Sequence, residues 1–405
     1  MAVGLGPLPP LRPVAGVRLG ITRAGIRKPD EADLVVVELA AGSRAAAVFT
    51  RNAFRAAPVL VAQEHARTID PRYLVINTGN ANAGTGEQGL RDARATCTAL
   101  AEQTGCAAEA VWPFSTGVIG EPLPMARLLD GLPGALAALD TEGWAAAADA
   151  IRTTDTVPKG SSVAQEGCDG AVVTGIAKGS GMIRPDMATM LAFIATDLAV
   201  VPEILQGALE VANGLSFNRI TVDGDTSTND AAVLISTGQA AAPPLESTSD
   251  PRHAGFVTAV TEVARTLAQA IVRDGEGATK FVPITVEGGR DEAECAAVAY
   301  TIAHSPLVKT ALFAEDPNWG RILAAVGRAG IDELDLEAVT IHLGDVCIVQ
   351  NGGRAASYTE AEGQRVMAAE EIPIHVALGR GTSTTTVWTT DLSYDYVRIN
   401  AEYRS

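Results

Sequence analysis

The sequence predicts an α/β protein of layered sheets covered by helices, and three observations carry that prediction. Strand-length apolar runs alternate with longer helical patterns through most of the chain, the arrangement from which helix-covered sheets are built. Apolar residues make up 47% of the chain against 20% charged, which is the balance of a folded protein. At 405 residues the chain can bury one large core or two medium ones.

In chain order, LVVVEL and AAAVFT near residues 34–50 read as a pair of strands, and YLVIN at 73–77 as a third. EQGLRDARATCTALAEQTG is helical with Gly105 as its stop, and TEGWAAAADAIR is a second helix capped by Thr141. Met190 to Ala195 is short, continuous and apolar and is soon followed by Asp197, so it reads as a buried strand. A helix near 202–213, the strand AAVLIST, a long helix from about 252 to 273 and the strand FVPITVEG follow. Another helix covers about 291–303, and the chain from Ala338 onward is mostly strands with turns. No repeat stands out; AAPPLESTSDP at 241–251 is the clearest loop.

A net charge of −17 with no Lys/Arg cluster opposes binding to nucleic acid or to anionic lipid surfaces. No window approaches 18 uninterrupted apolar residues, so no membrane span is expected, and four prolines before Val14 interrupt any signal-like core. Cys97, Cys106, Cys168, Cys295 and Cys347 are scattered without a C-x-x-C pair, which fits free thiols in a reducing cytoplasm.

Several motif matches lose weight on inspection. GTGEQG, Gly84–Gly89, fits a dinucleotide turn only if a strand ends directly before it, and the strand ends near Asn77; a plain loop before a helix is the alternative. In DGDTSTND, Asp223 and Asp225 suggest carboxylates on a divalent metal, but Leu234 stands where a calcium loop needs Glu. A turn held by side-chain-to-backbone hydrogen bonds is the competing reading. The five histidines show no H-E-x-x-H spacing, and no G-x-S-x-G elbow accompanies them.

KGSGMIRPDMATMLAFIATD, Lys178–Asp197, is different in kind. Thr189 sits between a small alanine and a buried strand. A threonine there ordinarily caps or packs. The chemical alternative is that its hydroxyl attacks the Ala188 carbonyl, an N-to-O acyl shift and ester hydrolysis follow, and the freed α-amine then serves as base to the same hydroxyl. An unperturbed α-amine, with a pKa of about 7.7–8.0, is partly neutral near pH 7.

This stretch resembles the self-cleavage signature of the ornithine acetyltransferase family, the glutamate N-acetyltransferases of arginine biosynthesis. The blocks NTGNANAGTG, STGVIG, TTDT, TVDGDTSTND, DGEGATK, EDPNWGRIL and YVRINAEYRS agree in order along the chain. The resemblance implies sheets sandwiched between helices in the self-cleaving N-terminal-nucleophile type of the ornithine acetyltransferase/DmpA-like fold. It implies cleavage into an α chain, 1–188, and a β chain, 189–405, assembled as α2β2. Thr189 would be the nucleophile in both cleavage and acetyl transfer. Thr116 and Gly117 would form the oxyanion hole; a glycine turn explains Gly117 alone.

Lys178 matches a substrate-binding lysine suited to a carboxylate, against the plain reading of an exposed loop lysine. Glu276 matches a substrate-binding glutamate suited to an amino group, against a solvated helix-end carboxylate. Of TTDT, Thr153 or Thr154 would touch substrate. Asn400 and Ser405 match a C-terminal pair closing the pocket; members usually end on threonine, and serine keeps the hydroxyl. The reaction implied is ping-pong transfer of acetyl from N2-acetyl-L-ornithine to L-glutamate, without metal or organic cofactor, and some members also take acetyl-CoA. Two rivals are a self-processing aminopeptidase of related fold and a metal-dependent phosphatase built on Asp223 and Asp225.

Overall fold

The computed structural model describes residues 2–27, 30–165, 168, 170–184 and 190–402. They form two compact units, the larger over Pro7–Asn218 and Asp225–Ile271, the smaller over Arg219–Gly224, the chain from Val272 on and its first few residues.

The larger unit holds strands β1 (Val17–Thr22), β2 (Leu34–Leu39), β3 (Arg44–Phe49), β4 (Tyr73–Asn80), β5 (Val111–Val118), β6 (Lys159–Ala164), β7 (Val172–Lys178), β8 (Leu191–Thr196) and β9 (Ala231–Ser236). Its helices are α1 (Ala57–Ala66), α2 (Gly86–Thr104), α3 (Met125–Ala137), α4 (Trp144–Ala150), α5 (Pro202–Gly214) and α6 (His253–Arg273). One sheet has the order β1-β2-β4-β5 and the other β3-β9-β8-β7-β6.

The two sheets share a core in which Val35, Val37, Leu74 and Ile76 meet Ile176, Phe193 and Val233. Phe114 and Phe193 touch edge to face across it, with ring centroids 5.1 Å apart. On its other face the first sheet buries Leu34, Val36 and Val75 under Val61 of α1, Leu100 of α2 and Leu132 of α3. Helix α6 lies so close to β7 that a Cβ on Gly175 would sit 2.9 Å from Val263. Strands buried on both faces have no polar side to show, which is why LVVVEL is apolar almost throughout.

LVVVEL and AAAVFT are both strands, but they do not pair. β2 lies between β1 and β4, whereas β3 pairs with β9 in the facing sheet. The turn at residues 41–42 carries the chain from one sheet to the other instead of closing a hairpin. Nor does Thr141 cap a helix: α4 starts at Trp144 with Gly143 at its N-cap and no side-chain cap bond. The expected third strand continues to Asn80, and the run after residue 189 is β8, buried along its whole length.

The smaller unit holds β10 (Phe281–Gly289), β11 (Thr340–Leu343), β12 (Val346–Gln350), β13 (Gly353–Arg354), β14 (Ile374–Ala377) and β15 (Ser383–Thr390), ordered β13-β12-β11-β14-β10-β15. Helices α7 (Glu292–Ala303), α8 (Pro306–Phe313), α9 (Trp319–Gly327), α10 (Glu360–Met367) and α11 (Tyr394–Ala401) accompany them. Cys295, Val298 and Ile302 of α7 pack with Val282, Ile284 and Val286 of β10 in one core. The last stretch of chain is thus less purely strand than its sequence predicts. Thr359 and Ser393 cap α10 and α11, their side chains accepting the N–H groups of Glu362 and Tyr396.

Candidate active site

The site in the larger unit is built where β4, β5 and β7 end. β4 and β5 run parallel, with Thr78 opposite Thr116 and Gly79 opposite Gly117, and the register breaks at Gly79/Asn80. Gly117 has φ +137°, and a Cβ there would lie 2.3 Å from the Gly79 carbonyl carbon, so the close approach requires glycine. Buried amides pin the strand ends. Ser115 Oγ donates to Asn77 Oδ1 at 2.6 Å, and Asn77 Nδ2 donates to the Asn80 carbonyl at 2.9 Å. Asn229 Nδ2 donates to the carbonyls of Ala81 and Ser115 at 2.6 and 2.9 Å. Asn80 Nδ2 also donates to the Pro122 carbonyl at 3.1 Å and Asn82 Nδ2 to the Gly89 carbonyl at 2.9 Å, so each Asn side chain of NTGNAN holds a backbone carbonyl.

Lys178, the last residue of β7, is buried and lies opposite Leu191 of β8. Its Nζ donates to Thr153 Oγ1 at 2.6 Å and to Thr116 Oγ1 at 3.3 Å, and stands 3.9 Å from Asp155 Oδ2. The exposed-loop reading of Lys178 therefore fails. Between the two candidate threonines the geometry favours Thr153; no side-chain hydrogen bond joins Thr154 to this group among the described residues.

Asp155 is the anchor. Its Oδ1 accepts from Lys159 Nζ and from the Gly179 N–H, both at 2.7 Å, and its Oδ2 accepts from the Thr153 N–H at 3.0 Å. Burial pushes this carboxyl up, but the charges of Lys159 and Lys178 and the Gly179 N–H outweigh burial and hold it well below the usual carboxylate range. Sequence reasoning quoted TTDT for its threonines and passed over Asp155 and Lys159. The available signal was an Asp inside the quoted block TTDT, followed four residues later by a Lys.

A cavity of about 30 Å³ opens against Thr116, Lys178, Gly179, Met190, Asn229 and Asp230. Asp230 was also passed over. Burial pushes its carboxyl well above the usual range, although hydrogen bonds from Ser227 and the charge of Lys178 oppose the shift. Met190 is the residue that follows the proposed nucleophile. Ala188, Thr189 and Ser405 lie outside the described residues.

The smaller unit holds Glu276 and Asn400. Glu276 is buried and its Oε2 accepts from Asn400 Nδ2 of α11 at 2.8 Å, so it is not a solvated helix-end carboxylate. Gly277 has φ +68°, and a Cβ there would lie 2.4 Å from the Tyr396 nitrogen, so the DGEG loop packs tightly against the start of α11. Asp391 accepts from the N–H groups of Thr279 and Lys280 and from Thr279 Oγ1, which accounts for the polar end of DGEGATK. Among the described residues no three His, Cys, Asp or Glu side chains gather as a metal site. The Asn229 N–H donates to Ser227 Oγ at 3.2 Å, as the turn reading of DGDTSTND expects. All five cysteines are free thiols. No helix of the described residues is long and apolar enough to cross a membrane.

Residues 18–405 match the ArgJ family. The chain is 57% identical to an arginine biosynthesis bifunctional protein ArgJ of Pseudomonas fluorescens (strain Pf0-1), aligned over 407 positions and all of both chains. It is 54% identical to the protein of that name from Psychrobacter arcticus, again over all of both chains. Among solved structures it is similar to the bifunctional protein argJ of Bacillus halodurans, with 40% identity and a TM-score of 0.50, covering 52% of this chain and 98% of that one. A match over almost the whole length, relatives alike from end to end, and the α/β architecture of facing sheets under helices lead to one conclusion: this chain belongs to the ArgJ family.

Proposed function

We propose that the protein is a glutamate N-acetyltransferase of arginine biosynthesis that cuts itself before Thr189 and carries acetyl on that residue. The observation that carries the reading is one cavity wall on which Thr116 and Lys178 meet Met190, the residue directly after Thr189. In the cut, Thr189 Oγ attacks the Ala188 carbonyl, the C–N bond breaks to give an ester, and water hydrolyses the ester. Ala188 keeps the carboxylate and Thr189 the free amine.

In the first half-reaction the hydroxyl attacks the acetyl carbon of N2-acetyl-L-ornithine. The α-amine takes the hydroxyl proton and passes it to the departing amino group of ornithine. Thr116 Oγ and the Gly117 N–H take the oxyanion; removing one such donor typically costs about 10²–10³-fold in kcat. The amino group of L-glutamate then attacks the acetyl ester and leaves as N-acetyl-L-glutamate. Lys178 receives a substrate carboxylate with Thr153 beside it, Glu276 receives the amino group, and Asn400 with Ser405 closes the pocket. An ester and an oxyanion hole suffice for this chemistry, so no cofactor is assigned.

The five-stranded sheet supports cleavage without separation. β8 and β9, from the 189–405 side, are flanked by β3 and β7, from the 1–188 side, and the two fragments then pair again as α2β2 in the cytoplasm. The solved relative is matched over 98% of its length yet spans 52% of this chain, as a single fragment of a cut chain would. That the relatives are named bifunctional favours a second donor, acetyl-CoA.

The test is incubation of the mature protein with acetylornithine alone. Mass spectrometry should find one acetyl group on residue 189 and an equal amount of ornithine, and added glutamate should discharge it as N-acetylglutamate. An adduct elsewhere, or ornithine release that strictly requires glutamate, rejects the covalent route. The same assay with acetyl-CoA decides the second donor.

A further inference from the structure

Four hydrogen bonds around Glu276 close a ring within the smaller unit. Glu276 Oε2 accepts from Asn400 Nδ2 at 2.8 Å, and that amide also donates to the Tyr396 carbonyl at 3.0 Å. The Tyr396 N–H donates to Ser393 Oγ at 3.3 Å, and the same hydroxyl donates to the Gly277 carbonyl at 2.6 Å, one residue past Glu276. The carboxylate is thus tied back to its own backbone by way of α11, and the path runs through one buried serine.

Ser393 is the member of this ring to which the reaction scheme gives no task. Helix α11 buries none of its side chains, and its ring contact is Tyr394 edge to face on Phe313 of α8, with centroids 5.4 Å apart. Apolar packing therefore does little to fix where Asn400 stands, and the polar bonds at the start of the helix set its place. Asp391 accepts the N–H groups of Thr279 and Lys280, so the loop that carries Glu276 is clamped at 277, 279 and 280. Glu276 Oε1 accepts no hydrogen bond among the described residues. A carboxylate held on one oxygen and open on the other suits a cationic amino group.

We infer that Ser393 is a positioning residue for substrate selection: its hydroxyl joins the loop of Glu276 to the helix of Asn400 and so aims the open carboxylate oxygen at the substrate's amino group. This inference rests on the role given to Glu276 above. In N2-acetyl-L-ornithine the one free amino group ends the side chain, so Ser393 acts on the choice of that side chain and not on the acetyl transfer itself. The task needs a hydroxyl that donates and accepts at once. Alanine does neither. Glycine keeps most of the helix-capping preference of serine and gives up the bond to Gly277.

The experiment compares the KM for N2-acetyl-L-ornithine with the inhibition constant of N2-acetyl-L-norvaline, which has the same carbon chain without the side-chain amino group. The proteins are the wild type, Ser393→Gly, Ser393→Ala, Glu276→Gln and Ser393→Gly/Glu276→Gln. In Ser393→Gly the KM should rise about tenfold, while kcat and the inhibition constant move by less than about twofold. The double variant should discriminate no worse than Glu276→Gln alone, because residues of one hydrogen-bond network do not add.

A merely structural defect weakens both ligands alike, and that result overturns the inference. So does discrimination kept in both Ser393 variants. Discrimination lost in Ser393→Ala and kept in Ser393→Gly would mean that Ser393 only caps α11, and the inference falls; the glycine variant also serves if the alanine variant does not fold. Glu276→Gln separates the two readings. If it leaves discrimination intact, the amino-group role of Glu276 fails and this inference with it, whereas discrimination lost there and kept in the Ser393 variants refutes only the role of Ser393.

Discussion

Asp155→Asn separates what holds the site together from what it does. The substitution removes the carboxylate 2.7 Å from Lys159 Nζ, in a pair whose side chains are 1% and 0% exposed. Breaking a buried pair by removing one member typically costs about 3–5 kcal/mol, because the other charge stays buried without its counter-charge. Against a whole-protein stability of about 5–15 kcal/mol, that is a large share. Asp155→Asn/Lys159→Met removes both charges and should recover most of the loss. It should not recover catalysis, because Lys178 still lacks the carboxylate that stands 3.9 Å away.

The assay is urea unfolding in the Thr189→Ala background, which lacks the hydroxyl of the proposed cut, beside half-reaction kinetics in the protein with Thr189 intact. A carboxyl held below its unfolded value stabilises above about pH 4 and loses that contribution as pH falls through its folded value. The unfolding difference between Asp155→Asn and its Thr189→Ala parent should therefore shrink in acid. Normal acetylornithine kinetics in the double variant would refute the positioning of Lys178 by Asp155. A single-variant loss under 1 kcal/mol would refute the buried-pair argument.

How much of this was legible in the sequence follows from which interactions are local. The apolar run of β8 and the glycine stop of α2 are local, and both were readable; Gly105 takes φ +71° at the helix end. Partnering is not local. β2 is apolar on both faces and carries no alternation to say which sheet it joins, so sequence adjacency to β3 misled. Helix α1 buries Val59, Val61, Ala62 and His65 on several sides and lacks the stripe by which a surface helix is recognised; α3 carries a stripe of Leu128, Leu132 and Ala135, but Pro133 and two glycines interrupt its helical reading. Among the candidate residues, Thr116, Gly117 and Lys178 of the larger unit and Glu276 of the smaller came through quoted blocks. Asp155 and Asp230 were missed because their value depends on Lys178 standing beside them, 23 and 52 positions away in the chain. Asn400 reaches Glu276 across 124 positions.

Gly117→Ala should abolish acetyl transfer and lower stability, since its Cβ would lie 2.3 Å from the Gly79 backbone at a φ that disfavours side chains; wild-type turnover would show that the strand end yields. Fragments 1–188 and 189–405 should co-elute in native buffer and part only in denaturant, because β8 pairs with β7 and β9 with β3; native separation would refute that. Lys309→Met reads the smaller unit. Lys309 is buried, its Nζ donates to Thr389 Oγ1 at 3.2 Å and to the Thr390 carbonyl, and burial pushes it down to about 8 against the pull of Asp391 and Asp223. An unfolded lysine titrates near about 10.4, so between the two values the unfolded chain holds a proton that the folded chain lacks. Stability should therefore rise with pH across that window. The difference of about 2.4 units at 1.36 kcal/mol each sets a ceiling of about 3 kcal/mol. Groups common to both proteins cancel when urea midpoints of the wild type and Lys309→Met are compared from pH 7 to about 10. The variant should lack the rise. Parallel curves would mean that Lys309 keeps an ordinary lysine's affinity for its proton despite its burial.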